Sequence, residues 1–297
     1  MLGRERRSGG SGHRYWFAGA DPARSFTTGA RAERDYRRAV RGHEGCLRRR
    51  AGRDGPRVGL LGGSFNPAHV GHRRISLFTL AALQLDEVWW MVSPGNPLKP
   101  GEGMAPLTAR VRSARALARN ARIRVTAIER ELGTRYTCDT VRALNRRYPR
   151  RRFVWMMGAD NLAQFHLWKN WRAIAREMPI AVIARPGYDG VALASPAMAW
   201  LRRYRLSAAG FRNRHEWSAP ALIDLSFDPD PLSATSLRQA DPHWSRRFVG
   251  PAPRDEVTYS LIRDVEPAGR RPTEGSTEKS IGQANDASMD PSAGPCA

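Results

Sequence analysis

The 297-residue sequence predicts one α/β domain on a doubly wound parallel sheet, with a disordered extension at each end. Two observations lead there. Short apolar runs alternate with stretches of helical period between about Arg57 and Asp264, which is how strands and crossover helices of a parallel sheet are written. Outside those limits the chain lacks the apolar side chains that would offset the entropy of ordering it.

The elements follow in order. Arg57–Leu61 reads as a first strand ending in a turn at Gly62-Gly63. His69–Leu83 carries Val70, Ile75, Phe78, Leu80 and Leu83 at helical spacing. Glu87–Val92 is a second strand, stopped by Ser93-Pro94-Gly95-Asn96-Pro97; its Trp89-Trp90 pair reads as core. Leu107–Arg119 is an Ala/Arg helix with Thr108 near its N-cap. Ile123–Ala127, Arg152–Met157 and Ile180–Ala184 are strands, Thr137–Tyr148 is a helix, and Ala159–Arg176 is a set of helical pieces. Leu222–Leu225 is a sixth strand, and short helices follow Ser233 and Asp255. Such a Rossmann-like sheet binds ligands beyond the carboxyl ends of its strands.

Residues 1–56 hold Gly9-Gly10-Ser11-Gly12, many arginines, six acids and no sustained hydrophobic period. They read as a disordered extension or the product of an upstream start codon. Residues 266–297 read as a disordered tail. The domain is then 57–265.

Composition narrows the class. The net charge is +21, and only Lys99, Lys169 and Lys279 of the 49 basic residues are lysine. The arginines spread along the whole chain, so the charge fits anionic small molecules better than a dedicated nucleic-acid partner. No apolar run nears the roughly 20 residues of a membrane span. Cys46, Cys138 and Cys296 form neither a metal spacing nor a disulfide framework, which fits a cytoplasmic protein.

The chemistry is concentrated in Gly62-Gly63-Ser64-Phe65-Asn66-Pro67-Ala68-His69-Val70-Gly71-His72. The glycines let backbone approach a ligand closely. The helix start offers unpaired N–H groups to an anion. His69 and His72, three residues apart, reach the same side of the first turn. The Gly-Lys-Ser/Thr of a Walker loop is missing, and so is a zinc ligand set. Near the end of the domain, Ser233-Ala234-Thr235-Ser236-Leu237-Arg238 places hydroxyls and a guanidinium at another helix start, suited to a triphosphate. Asp160, after Gly158 at a strand end, is placed to accept from ribose hydroxyls. Trp168 and Trp171 offer flat faces for a ring.

Together these motifs resemble the nucleotidylyltransferase superfamily with its His-x-Gly-His signature, and most closely the bacterial nicotinate-mononucleotide adenylyltransferases. The likeness covers about Arg57 to Asp264. It includes Val92–Lys99, Glu129-Arg130-Glu131, Arg135–Thr140, Gly158–Asn161, Phe165–Trp171 and Arg185-Pro186-Gly187. Arg135 departs from it, since the family carries a small residue there. The resemblance implies transfer of AMP from ATP to nicotinate mononucleotide in NAD biosynthesis, with Mg²⁺ accompanying ATP. It implies catalytic roles for His69, His72 and Arg238. Gly62, Gly63, Ser64, Phe65, Gly158, Asp160, Ser233 and Thr235 would join them in binding ATP. Asn66, Lys99, Tyr136, Thr137, Trp168 and Arg185 would bind the acceptor. Two rivals are a sister enzyme acting on nicotinamide mononucleotide, phosphopantetheine or another phosphate acceptor, and a basic nucleic-acid-binding protein.

Overall fold

The structure, a computed structural model, describes residues 55–95, 103–119, 121–184, 189–214, 217–227 and 233–264. Asn96–Lys99, Arg185, residues 1–54 and the expected tail 266–297 lie outside the described residues; Pro56, placed in the expected extension, is described and its carbonyl accepts the Arg152 amide at 2.9 Å.

Seven strands form one sheet in the order β3-β2-β1-β4-β5-β7-β6, every neighbouring pair parallel. They are β1 (Arg57–Gly63), β2 (Glu87–Val92), β3 (Ile123–Thr126), β4 (Arg152–Gly158), β5 (Ile180–Ala184), β6 (Arg205–Leu206) and β7 (Leu222–Ser226). The chain winds outward from β1 to β3, then returns to β1 and continues from β4 on its other side. The crevice where the winding reverses opens at the carboxyl ends of β1 and β4, which is where such sheets bind ligands.

Helices cover both faces, so strand residues alternate between two cores. Leu61 and Trp90 face one core, with Leu77 and Leu80 of α1 (Val70–Ala82) and Val111 of α2 (Leu107–Ala118). Leu60 and Trp89 face the other, with Val141 of α4 (Thr137–Arg147), Leu162 of α5 (Ala159–Gln164), Ile174 of α6 (Trp171–Glu177) and Leu201 of α8 (Pro196–Leu201). Both tryptophans of the Trp89-Trp90 pair are fully buried. Each finds a partner for its indole N–H: Glu87 at 2.9 Å for Trp89 and the Ser76 hydroxyl at 2.8 Å for Trp90.

Several expectations are corrected. β1 runs through Gly62-Gly63 instead of ending before them. At Gly62 an added Cβ would lie 3.1 Å from the Trp155 ring on the neighbouring strand, so close packing demands glycine inside the strand. The two-residue strand β6 was too short to register in the pattern, and Leu222–Ser226 is therefore the seventh strand. Thr108 lies near the N-cap of α2 as expected, two residues after the N-cap Pro106, and the Asp264 carboxylate takes both the Thr108 amide (2.9 Å) and hydroxyl (2.8 Å).

No helix follows Asp255. Its carboxylate accepts the Val257 and Thr258 amides at 2.8 and 3.0 Å, a local turn that imitates a helix start without propagating. The same carboxylate accepts the Ala127 amide at 2.7 Å and the Thr126 hydroxyl at 2.9 Å, and Glu256 accepts the Val125 amide at 2.6 Å. This segment thus covers the outer edge of β3, an edge that would otherwise present unpaired donors.

Candidate active site

The first motif leaves β1 at Gly63 and enters α1 with His69 as N-cap. Phe65 sits between them at φ +47°, a conformation that costs a bulky side chain roughly 1–3 kcal/mol. Packing holds it there: Phe65 is buried, stacks on Trp90 at 5.2 Å and lies 4.8 Å from the His72 ring. The ring therefore belongs to the core.

His69 and His72 come together as expected, with ring centroids 3.9 Å apart. The His69 amide donates to Nδ1 of His72 at 3.2 Å. A neutral imidazole accepting at Nδ1 carries its proton on Nε2, so His72 presents a donor at Nε2.

The second motif reaches the first. Ser233 caps α10 (Ala234–Ala240), its hydroxyl accepting the Ser236 amide at 3.1 Å. Arg238, one turn on, donates to the main-chain oxygen of Asn66 at 2.7 Å and to the Thr235 hydroxyl at 3.2 Å. A guanidinium has five N–H donors, so these two bonds leave others for phosphate oxygens.

Asn66 also has a place within the fold. Its amide nitrogen donates to Gly103 O at 2.9 Å and its amide oxygen accepts the Ala105 amide at 3.2 Å. With only 5% of its surface exposed, it pins the 103–105 loop against the first motif.

At the end of β4, Asp160 folds back over Gly158, where an added Cβ would lie 2.3 Å from its Oδ1. That oxygen is buried and has no hydrogen-bond partner among the described residues. Buried acceptors are normally satisfied, so a hydroxyl donor would complete it.

The anticipated acceptor side lies on two loops. Trp168 meets Trp155 edge-on at 6.3 Å and Phe165 at 5.3 Å. Trp171 is core, 8% exposed. Tyr136 caps α4, with Thr137 its first residue. Lys169 joins the two loops, lying 4.4 Å from the Tyr136 ring centroid and 3.3 Å from Asp139. Asp139 thus sets a carboxylate beside Lys169.

Two further groups have no role in the sequence analysis, although Glu129 lies in one of the segments that carry the resemblance. Arg110 is 1% exposed and donates to Ala105 O (2.9 Å), Ser64 O (2.8 Å), Ser93 O (2.7 Å) and Pro94 O (3.3 Å). Burial pulls its guanidinium down to about 10, opposed by the charge of Asp264, so it remains a cation at neutral pH. Its signal was present: it falls three residues after Leu107 and one before Val111, on the apolar stripe of α2. Glu129 is the second. Burial pushes its carboxyl up to about 7, against hydrogen bonds from Ser93 and Thr140.

Among the described residues no three His, Cys, Asp or Glu side chains converge to hold a metal ion. Paired imidazoles without carboxylates do not suit Mg²⁺, which takes oxygen ligands. Among the same residues no helix is long and apolar enough to cross a membrane.

Known proteins match this sequence. The cytidylyltransferase-like family model matches residues 60–240, from β1 through the second motif. A probable nicotinate-nucleotide adenylyltransferase of Erythrobacter litoralis is 67% identical over 212 residues, which cover 71% of this chain and 97% of the relative. Those of Bradyrhizobium sp. and Parvibaculum lavamentivorans are each 51% identical, covering 63% and 65% of this chain and 98% and 96% of their own. The chain belongs to the cytidylyltransferase-like family and, within it, to the nicotinate-nucleotide adenylyltransferases.

Proposed function

We propose that this chain transfers AMP from ATP to nicotinate mononucleotide, releasing pyrophosphate and forming deamido-NAD. The observation that carries the reading is the meeting of the two motifs at Asn66 O, which gathers two imidazoles and a guanidinium at one end of the sheet.

A phosphate oxygen of the mononucleotide attacks the α-phosphorus of ATP in line. The new O–P bond forms as the bond from the α-phosphorus to the bridging oxygen breaks, and that oxygen's electron pair leaves with pyrophosphate. The attacking phosphate is already anionic, so no general base is needed. The protein's part is positioning and charge stabilisation. His72, donating from Nε2, and His69 steady the α- and β-phosphates. Arg238, with Ser233 and Thr235, holds the departing pyrophosphate. Gly62, Gly63, Ser64 and Phe65 line the nucleotide through their backbone, and Asp160 accepts from a ribose hydroxyl. Trp168, Tyr136 and Thr137 receive the pyridine end, together with Lys99 and Arg185. Mg²⁺ belongs to the nucleotide substrate and needs no cage of its own. The reaction fits a cytoplasmic enzyme of NAD biosynthesis.

A pyrophosphate-release assay with ATP and either pyridine mononucleotide tests the reading. Release that depends on nicotinate mononucleotide, with the dinucleotide as co-product, supports it; no release with either acceptor overturns it.

A further inference from the structure

We propose that Arg110 is a positioning residue for adenylyl transfer, a buried cation on which the nucleotide loop after β1 and the loop after β2 are both seated. The inference rests on the adenylyl-transfer reading.

Four backbone oxygens converge on this one guanidinium. Ser64 belongs to the nucleotide loop. Ser93 and Pro94 begin the loop after β2. Ala105 belongs to the segment that Asn66 also pins, and Asn66 is in turn the seat of Arg238. An unbroken chain of hydrogen bonds thus runs from Arg238 through Asn66 and Ala105 to Arg110, and on to both loops.

The choice of a cation is costly if stability alone is at stake. Among the described residues no carboxylate bonds Arg110 directly, although the charge of Asp264 favours it, and taking a guanidinium out of water is costly before hydrogen bonds offset it. An apolar side chain would continue the stripe Leu107, Val111 and Ala114 at lower cost. What the guanidinium adds is a rigid planar fork whose spacing fixes its acceptors relative to one another.

It also polarises them. The peptide linking Ser64 to Phe65 is trans, so its N–H points opposite its carbonyl. A cation on the Ser64 oxygen strengthens the Phe65 N–H on the far side as a donor, and that N–H lies in the segment that meets the nucleotide. Anchoring Ser64 also holds Phe65 at its unusual φ, with its ring against His72. Displacing Arg110 would therefore move the imidazole as well as the loop.

The test compares Arg110→Lys and Arg110→Met with the wild type, at a temperature where each is folded by circular dichroism. Lysine keeps the charge but loses the fork; methionine loses both. The expected result is a kcat about tenfold lower for Arg110→Lys and lower still for Arg110→Met, with each KM within about threefold. Amide exchange should quicken at least tenfold in peptides covering both 64–66 and 93–95. A folded Arg110→Lys with wild-type kcat, or with exchange unchanged in both peptides, overturns the proposal even if Arg110→Met does not fold. The wild-type protein in the same assay tests adenylyl transfer itself. If it releases no pyrophosphate, that reading fails, and the exchange measurement still decides whether Arg110 seats both loops.

Discussion

Arg238 Nη1 lies 2.7 Å from the main-chain oxygen of Asn66, although 172 residues separate them in sequence. This bond joins two short motifs at opposite ends of the domain, because it seats the guanidinium on the loop that leads into the paired histidines. Lysine carries the charge but cannot hold Asn66 O, Thr235 and a phosphate in one plane. Arg238→Lys is therefore expected to lower kcat/KM for ATP by about 10–100-fold, in line with loss of charge-assisted bonds. Steady-state kinetics check this; a change under threefold would remove Arg238 from the pyrophosphate site.

In the proposed reaction His72 contacts charge that shifts, so its removal should appear in turnover and little in substrate binding. His72→Ala is expected to lower kcat by about 10²–10³-fold, the usual loss for a donor to a developing charge. Nicotinate mononucleotide affinity, measured by calorimetry, should stay within about threefold. Near-normal turnover would sink the phosphate role.

How much of this was legible beforehand differs by residue. The strands β2 and β5 were read to the residue, because each is an uninterrupted apolar run bounded by turn residues. The paired histidines and Arg238 stood out because each sits just after a strand. Arg110 showed only as a charged interruption of the apolar stripe of α2; that its guanidinium bonds carbonyls of three loops has no pattern in a linear sequence until the loops are brought together. Asn66 stands in the signature, but that it also ties Gly103 and Ala105 to the motif, with one N–H and one lone pair of its amide, shows only in the fold. The helix expected after Asp255 failed for a physical reason: an acidic turn residue satisfies local amides whether or not a helix follows.

The ends of the chain should be dispensable. The family match spans 60–240, and the Erythrobacter relative aligns over 97% of its own length with only 212 residues of this chain. The right-hand cut must spare Asp264, which caps α2 through Thr108. Removing residues 1–54 and 265–297 is expected to leave kcat and the melting temperature within about twofold and about 2 °C, since burial and hydrogen bonding decide tolerance to truncation. A collapse of either quantity would show that those segments contribute to the fold or the site.

Glu129 makes stability depend on pH. Its ordinary value is 4.5 and the folded protein raises it to about 7. Between those values the folded state binds more protons than the unfolded one, so this group's contribution is fully present below about 4.5 and is lost as pH rises through 7. Glu129→Gln removes the charge and keeps an acceptor for Ser93 and Thr140. The variant is expected to gain on the wild type between pH 5 and pH 8 by on the order of 1 kcal/mol, or about 2–4 °C in a domain of this size. Melting curves at both pH values check it; a difference that stays constant across the range excludes the assignment.

The choice between the acid and amide mononucleotides must come from hydrogen-bond polarity, since the two rings have nearly the same shape. A carboxylate only accepts, whereas an amide also donates. A site lined with donors accepts the acid and sets donors against donors with the amide. The acceptor loops carry Lys169, Tyr136 and the first turn of α4, a helix start whose dipole favours negative charge. Asp139 tempers this by pairing with Lys169 at 3.3 Å, so the lysine alone cannot set the preference. Nicotinate mononucleotide is expected to be favoured by at least about tenfold in kcat/KM, roughly 1.4 kcal/mol, which one or two mismatched hydrogen bonds supply. Lys169→Gln should reduce that ratio by about two- to threefold without abolishing it, because an exposed ion pair contributes little. Both ratios come from parallel pyrophosphate-release assays. Equal or better efficiency with nicotinamide mononucleotide would overturn the acid preference, and a full loss of the ratio in Lys169→Gln would make the lysine its main determinant.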